Sequence, residues 1–221
     1  NERELARHLQ AKATSAPGLA LGIGDDCAVG LPRACQERVV TTDLVLEDVH
    51  FRRASITAEQ AGHRALARSL SDIAAMGALP RFCLVSLALP SWADRKWFNA
   101  FYRGLLKLAG DDGVALAGGD LSHSEKLVCD VMVCGSVAKG KALRRDSARP
   151  GDLIYVSGPL GGWKHKKQLE PRIAEGRKLI GKASASIDIS DGLALDLYRL
   201  CVASKVAAKL DQGPPLLPGA T

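Results

Sequence analysis

The aspartates of this 221-residue chain fall at a few recurring kinds of position. Asp25 and Asp26 follow Gly22-Ile23-Gly24, Asp43 closes a predicted strand after Thr41-Thr42, and Asp72 sits in Ser69-Leu70-Ser71-Asp72. Asp120 follows Gly118-Gly119, and Asp188 and Asp191 flank Ile189-Ser190 just before Gly192. Most end a predicted strand or begin the turn after it, and in layered α/β folds such strand ends point toward one edge, where clefts form. Each is also next to Gly, Ser or Thr, so backbone amides can approach an anion beside the carboxylate. Carboxylates meeting in one cleft repel by roughly 4 kcal/mol per pair at about 4 Å near a surface, so they call for a cation between them. The donors are carboxylate and hydroxyl oxygens without paired His or Cys, which suits Mg²⁺ rather than Zn²⁺. Mg²⁺ held by a few carboxylates completes its shell with water and nucleotide phosphates, which points to phosphoryl chemistry.

The same residues have plainer readings. Asp25, Asp26 and Asp191 beside glycine serve equally as turn residues. Asp72 lies on the apolar face of its predicted helix, where a merely solvated Asp does not belong, and Asp43 and Asp188 end strands of otherwise buried residues, where an unpaired carboxylate is costly. Asp94, Asp111, Asp112, Asp130 and Asp146 read as caps, turns or exposed faces. His50, seven residues past Asp43 with Asp48 nearby, has the ring to hydrogen-bond a phosphate in the same cleft, although an isolated His is more often a surface residue.

The elements that must position these groups alternate between strand and helix. Strands are predicted over 37–43, 81–89, 114–117, 127–137 and 153–156. A helix capped by Thr57 carries Ala61, Ala65, Leu66, Leu70, Ile73 and Ala74 on one face and stops at Gly77 and Pro80. A second, capped by Ser91, carries Trp92, Trp97, Phe101, Leu105, Leu106 and Leu108. The pattern predicts an α/β (α+β) fold, a mixed sheet with helices layered on one face. A turn at Arg149-Pro150-Gly151-Asp152 divides residues 1–149 from 150–221. The second unit, with helices over 171–180 and 193–204 and strands over 185–189 and 206–210, has too few strands to close an ordinary sheet.

Three phosphate or metal motifs nearly appear. Gly22 to Cys27 lacks the third glycine of the dinucleotide fingerprint, Gly176 to Ala183 lacks the P-loop hydroxyl and its preceding strand, and Asp188 to Gly192 lacks the late Glu of a calcium loop.

Composition closes off other classes. With 47% hydrophobic and 24% charged residues the chain suits one globular domain or slightly more. The net charge of +6 is dispersed apart from Arg144, Arg145, Arg149 and residues 164–167, which argues against nucleic acid. The longest apolar run, Phe82 to Leu89, is far short of the ~20 residues of a membrane span, and the first residues show no secretory-type apolar stretch. No two of the six cysteines have the spacing of a zinc knuckle or redox pair; small buried thiols in a reducing cytoplasm are the expectation.

Six stretches together resemble the thiamine-monophosphate kinases, within the ATP-binding superfamily that includes aminoimidazole ribonucleotide synthetase and selenophosphate synthetase. They are GIGDDCAV (Gly22 to Val29), TTDLVLEDVHF (Thr41 to Phe51), LARSLSDIAAMGALP (Leu66 to Pro80), LAGGDLS (Leu116 to Ser122), GKALRRDSARPGD (Gly140 to Asp152) and SIDISDGLALDL (Ser186 to Leu197), in family order. The resemblance implies transfer of the γ-phosphoryl of ATP to thiamine monophosphate, with no covalent nucleophile. It implies Asp26, Thr41, Thr42, Asp43, Asp72, Asp120, Asp188 and Asp191 as ligands of several Mg²⁺ ions. It further implies Gly119, Asp120, Arg145, Ser190 and Tyr102 at the nucleotide, His50 at the thiamine substrate, and a homodimer through the N-terminal sheets with the nucleotide near that interface. Residues 1–149 then form the ATP- and Mg-binding, dimerising domain, and 150–221 begin an incomplete second α/β domain. The segment after Gly162 is shorter than in the family, and the thiamine-ring contacts are expected beyond Thr221. Another ATP-dependent enzyme of the superfamily, or a non-catalytic Mg-nucleotide-binding protein, is the alternative.

Overall fold

A computed structural model describes residues 2–13, 19–21, 29–30, 34–161 and 169–216. The helix α1 (Glu2–Lys12) is followed by β1 (Leu19–Leu21) and β2 (Val29–Gly30), an antiparallel pair. β3 (Gln36–Leu46) then leads into α2 (Ala58–Ala75), β4 (Leu79–Leu89), α3 (Arg95–Asp111), β5 (Ala115–His123) and β6 (Val128–Ala138).

The β-branched and apolar runs pair into a four-stranded sheet of order β3-β6-β4-β5, in which β4 and β5 are parallel and the other pairs antiparallel. This is the expected mixed sheet. α2 and α3 cover one face, and Leu66, Leu70, Ile73, Phe98, Phe101 and Leu105 meet Val85, Leu87, Val131 and Val133 in a continuous core. Full burial contributes roughly 1.5–3 kcal/mol for each large side chain, so this face holds the fold together. The two helices cross where Gly62 faces the Phe101 carbonyl and Gly104 the Glu59 carbonyl; a Cβ on either would lie 1.9 or 2.0 Å from that oxygen.

Local signals set the helix ends. Thr57 accepts from the Gln60 N–H at 3.2 Å while Gln60 Oε1 accepts from the Thr57 N–H at 2.9 Å, a reciprocal cap on α2. The cap of α3 is Asp94, which accepts from the Trp97 N–H at 2.8 Å, and not Ser91: the chain first turns through an Ala93 N–H to Pro90 carbonyl bond, so the helix starts later than expected. Pro80 lies within β4 rather than ending α2; Gly77 at φ 66° makes that stop.

β3 and β5 both outrun expectation, because β6 pairs with β3 as far as Leu46↔Val128 and β4 with β5 as far as Leu89↔His123. Asp43 and Asp120 therefore lie inside strands, not at their ends.

Beyond residue 150 the predicted strands over 153–156, 185–189 and 206–210 do not form. Leu153 and Tyr155 are 77% and 82% exposed, and the one bridge there among the described residues is Leu160↔Leu216. Their composition favours strand, but no neighbour among the described residues supplies a ladder. The helices do form, as α4 (Ile173–Leu179) and α5 (Leu193–Ser204). α4 docks on α2 so tightly that a Cβ on Gly176 would sit 2.0 Å from the Ala74 carbonyl oxygen, which explains that glycine without any phosphate loop.

Candidate active site

Side chains alternate across a strand, so Thr41 and Asp43 of β3 point to the helix-covered face and Thr42 to the other. α2 offers Asp72 and Arg68 one turn apart on the side facing β3. The strand advance of two residues, about 6.6 Å, nearly matches the four-residue helical rise of about 6 Å, so two contacts form side by side. Thr41 Oγ1 donates to Asp72 Oδ2 at 2.5 Å, and Arg68 Nη2 donates to Asp43 Oδ1 at 3.0 Å. Ser69 anchors the helix by donating to the Val131 carbonyl at 2.7 Å.

The segment before α5 brings in Asp188. Its carboxyl is pushed up to about 6, first by burial and then by Asp72, Asp196 and Asp43, with Arg145 opposing. Asp72 is also raised, by burial above all and by Asp43, against the Thr41 hydrogen bond, Arg145 and Arg68. Asp43, Asp72 and Asp188 thus lie within each other's electrostatic reach, and Arg145 beside two of them. As placed, no three His, Cys, Asp or Glu side chains among the described residues are close enough to enclose one ion.

His50 stands at the edge of this group, after β3. Its Nδ1 accepts the Leu46 N–H at 3.0 Å, and its pKa is lowered, first by burial and then by Arg68, with Asp43 opposing. The ring is therefore held neutral with its proton on Nε2.

The other expected residues are placed differently. Thr42 donates to Asp130 Oδ1 at 2.5 Å on the helix-free face. Asp120 shares a rung with Ser86, Asp130 and Leu44 on that face, at the opposite edge of the sheet from Asp43, about 14 Å away by strand spacing. Its carboxylate accepts the Leu121 N–H at 2.9 Å. Gly119, at φ 145°, brings β5 so near β4 that a Cβ would lie 1.9 Å from the Val85 carbonyl oxygen. Tyr102 is packed in the core against Phe98 and Phe101, away from the carboxylates, because its α3 position belongs to the buried aromatic stripe. Asp191 pairs with Arg199 at 2.5 Å. Asp25 and Asp26 lie outside the described residues.

Sequence reasoning passed over Asp196. It is 1% exposed and its Oδ2 accepts the N–H groups of Ser190, Asp191 and Gly192 at 3.0, 2.9 and 3.1 Å. It organises the loop that presents Asp188, and its position four residues into a helix after Gly192 was the available signal. Arg68, one turn before Asp72, was likewise readable as its neighbour.

A cavity of about 310 Å³ lies elsewhere, among Leu5, Leu89, Pro90, Phe98, Leu121 and His123. Its one carboxylate, Asp94, is engaged in capping α3.

Fold and cleft define an ATP-binding domain of the aminoimidazole ribonucleotide synthetase type: residues 24–137 match the family AIR synthase related protein, N-terminal domain. The chain is 35% identical to thiamine-monophosphate kinase of Bacillus subtilis, over 95% of this chain and 73% of that protein. The solved thiamine-monophosphate kinase of Stenotrophomonas maltophilia K279a superposes with a TM-score of 0.77 at 36% identity, covering 92% of this chain and 70% of that one. The AaThiL complex with AMPPCP and TMP superposes with a TM-score of 0.72 at 28% identity, covering 92% and 69%. The chain belongs to the thiamine-monophosphate kinase family.

Proposed function

We propose that this chain transfers the γ-phosphoryl group of ATP to the phosphate of thiamine monophosphate, giving thiamine diphosphate and ADP. An acceptor phosphate oxygen forms the new P–O bond while the bond from the γ-phosphorus to its bridging oxygen breaks and ADP leaves. Both reactants are anions, so the protein's task is positioning and charge neutralisation, and no covalent nucleophile is required. One observation carries this reading: three separate elements hold Asp43, Asp72 and Asp188 in one electrostatic group beside Arg145.

Mg²⁺ fits that group. The donors are oxygens, and Asp188, raised by burial first and then by its neighbouring carboxylates, would gain from a cation. As placed, the described carboxylates do not enclose one ion, so Thr41, Asp43, Asp72 and Asp188 would supply oxygens to several Mg²⁺ ions rather than cage one; Asp26 and Asp191, with Thr42 and Asp120 from the opposite sheet face, would be further ligands on the family pattern. When bound, Mg²⁺ neutralises phosphate charge and orients the transferring group. Arg145 supplies a guanidinium to the nucleotide phosphates; Ser190, and Gly119 and Asp120 on the far edge strand, would be further nucleotide contacts on the family pattern. His50 offers its Nε2–H to the acceptor phosphate.

Residues 1–149 form the nucleotide-binding unit, and 150–221 belong to a second one. A homodimer through the helix-free sheet face would cover Val40, 62% exposed, and Leu44, and would put Asp120 at the subunit boundary. No helix among the described residues is long and apolar enough to cross a membrane, and the free thiols at Cys83, Cys129, Cys134 and Cys201 support a reducing cytoplasm. Cys35, by contrast with the expected burial, is exposed.

The test is an assay with ATP, Mg²⁺ and thiamine monophosphate. Thiamine diphosphate and ADP should appear one for one; ADP without the diphosphate moves the acceptor elsewhere, and nucleotide binding with no ADP under any acceptor leaves a sensor.

A further inference from the structure

Arg68 is a cation where the proposed chemistry has so far given one no task. It leaves α2 one turn before Asp72 and pairs with Asp43 Oδ1 at 3.0 Å, both side chains being largely buried. It occupies one of the two Asp43 oxygens open to a cation, and its positive charge opposes a cation on the other. Its charge bears on His50 and on Arg64, one helical turn before it, and Arg64 Nη1 donates to the His50 carbonyl at 3.4 Å. The Arg68 Nε is buried and has no acceptor among the described residues. The guanidinium fork therefore has donor capacity that Asp43 does not use. Two arginines one helical turn apart beside a histidine repel one another, and an anion between them would relieve this.

We propose that Arg68 is a positioning residue with two partners, holding Asp43 in the metal-free protein and, when Mg²⁺ takes that carboxylate, turning to the acceptor phosphate beside His50. This rests on the magnesium-assisted kinase reading above. Arg68 competes with the metal and binds the substrate, so metal entry and acceptor engagement are coupled.

The test compares the wild-type chain with Arg68→Gln, using Mg²⁺ alone in titration calorimetry and steady-state kinetics at saturating ATP. Arg68→Gln should bind Mg²⁺ about five- to tenfold more tightly, since a competing ion pair is gone. Its KM for thiamine monophosphate should rise about tenfold, a charge-assisted phosphate contact being lost. Arg68→Lys should restore the metal affinity but only part of the KM, because an ammonium lacks the fork. Arg68→Met serves if the glutamine variant does not fold. Equal or weaker Mg²⁺ binding, or an unchanged KM, overturns the proposal. If Mg²⁺ binding is lost in Asp72→Asn yet indifferent to Arg68, this proposal alone fails; if the wild type binds no Mg²⁺, the magnesium reading fails with it.

Discussion

The sheet with its two helices and the segment after residue 150 are held by different forces. In the first, β3 to β6 satisfy one another's backbone groups and α2 and α3 bury one face of the sheet. In the second, α4 packs on α2 through Ile173, but the chain around α5 stands on polar ties: Ser204 Oγ donates to the Arg145 carbonyl at 2.7 Å and accepts the Ala148 N–H at 3.0 Å, Ser184 donates to Asp152, and Asp196 gathers three backbone amides. Apolar residues there remain exposed. Strand-like composition is thus not enough to make a strand, and the loop carrying Asp188, a carboxylate proposed above as a magnesium ligand, is ordered by hydrogen bonds to Asp196.

Substitutions can break or sharpen this contrast. Gly62→Ala should cost at least about 4 kcal/mol, because its Cβ would meet the Phe101 backbone, while Gly213→Ala, with nothing within 4 Å, should stay within about 0.5 kcal/mol; denaturant titration reads both. Comparable costs would erase the difference between the regions. Asp72→Asn, which keeps the shape of a group spanning the two regions, should lower turnover about 10³-fold, or roughly 4 kcal/mol in the barrier, with the circular dichroism spectrum unchanged. Wild-type rates at limiting Mg²⁺ would remove the metal role.

Asp196→Ala should cost about 2–3 kcal/mol by leaving three amides unpaired, and should speed proteolysis after residue 184 before it affects the sheet. Asp188→Asn has the opposite sign. The Asp188 pKa is raised to about 6 from 3.8, so its neutral form is favoured on folding and its ionisation costs stability as pH rises through 6. In metal-free buffer the asparagine variant should therefore be more stable than wild type by about 1–2 kcal/mol at pH 7.5, after solvent screening, with the gap closing near pH 4. Thermal melts at the two pH values measure it, and a gap that widens on acidification refutes the assignment. Leu153→Ala should be the smallest, within about 0.5 kcal/mol, since that side chain is 77% exposed.

The helices were legible because capping and periodicity are local: Thr57 with Gln60 begins α2, and α5 spans the residues its pattern predicts. The sheet strands were legible in place and short in extent, because where a strand ends depends on its neighbour; Asp43 and Asp120 consequently sit inside strands. Ser91 lost the α3 cap to Asp94 because the turn before it has no periodic signature. Among the proposed site residues, Asp72 sits on the helix side facing β3, hydrogen-bonded by Thr41 and within the electrostatic reach of Asp188. Tyr102 has the same spacing as a core aromatic, and burial decides between the two uses. Asp196 and Arg68 went unread because each acts through its neighbours.

From residue order alone came the donor chemistry, oxygen ligands beside small residues at predicted strand ends, together with the helices and the order of the family's motifs. These follow from side-chain type and from contacts within a few residues. Only the tertiary arrangement decided which carboxylates share a cleft. Strand alternation sends Thr42 and Asp120 to the face opposite Asp43, sheet order sets Asp43 and Asp120 at opposite edges, and burial among like charges raises Asp188. Those are distances across the chain, which no spacing along it contains.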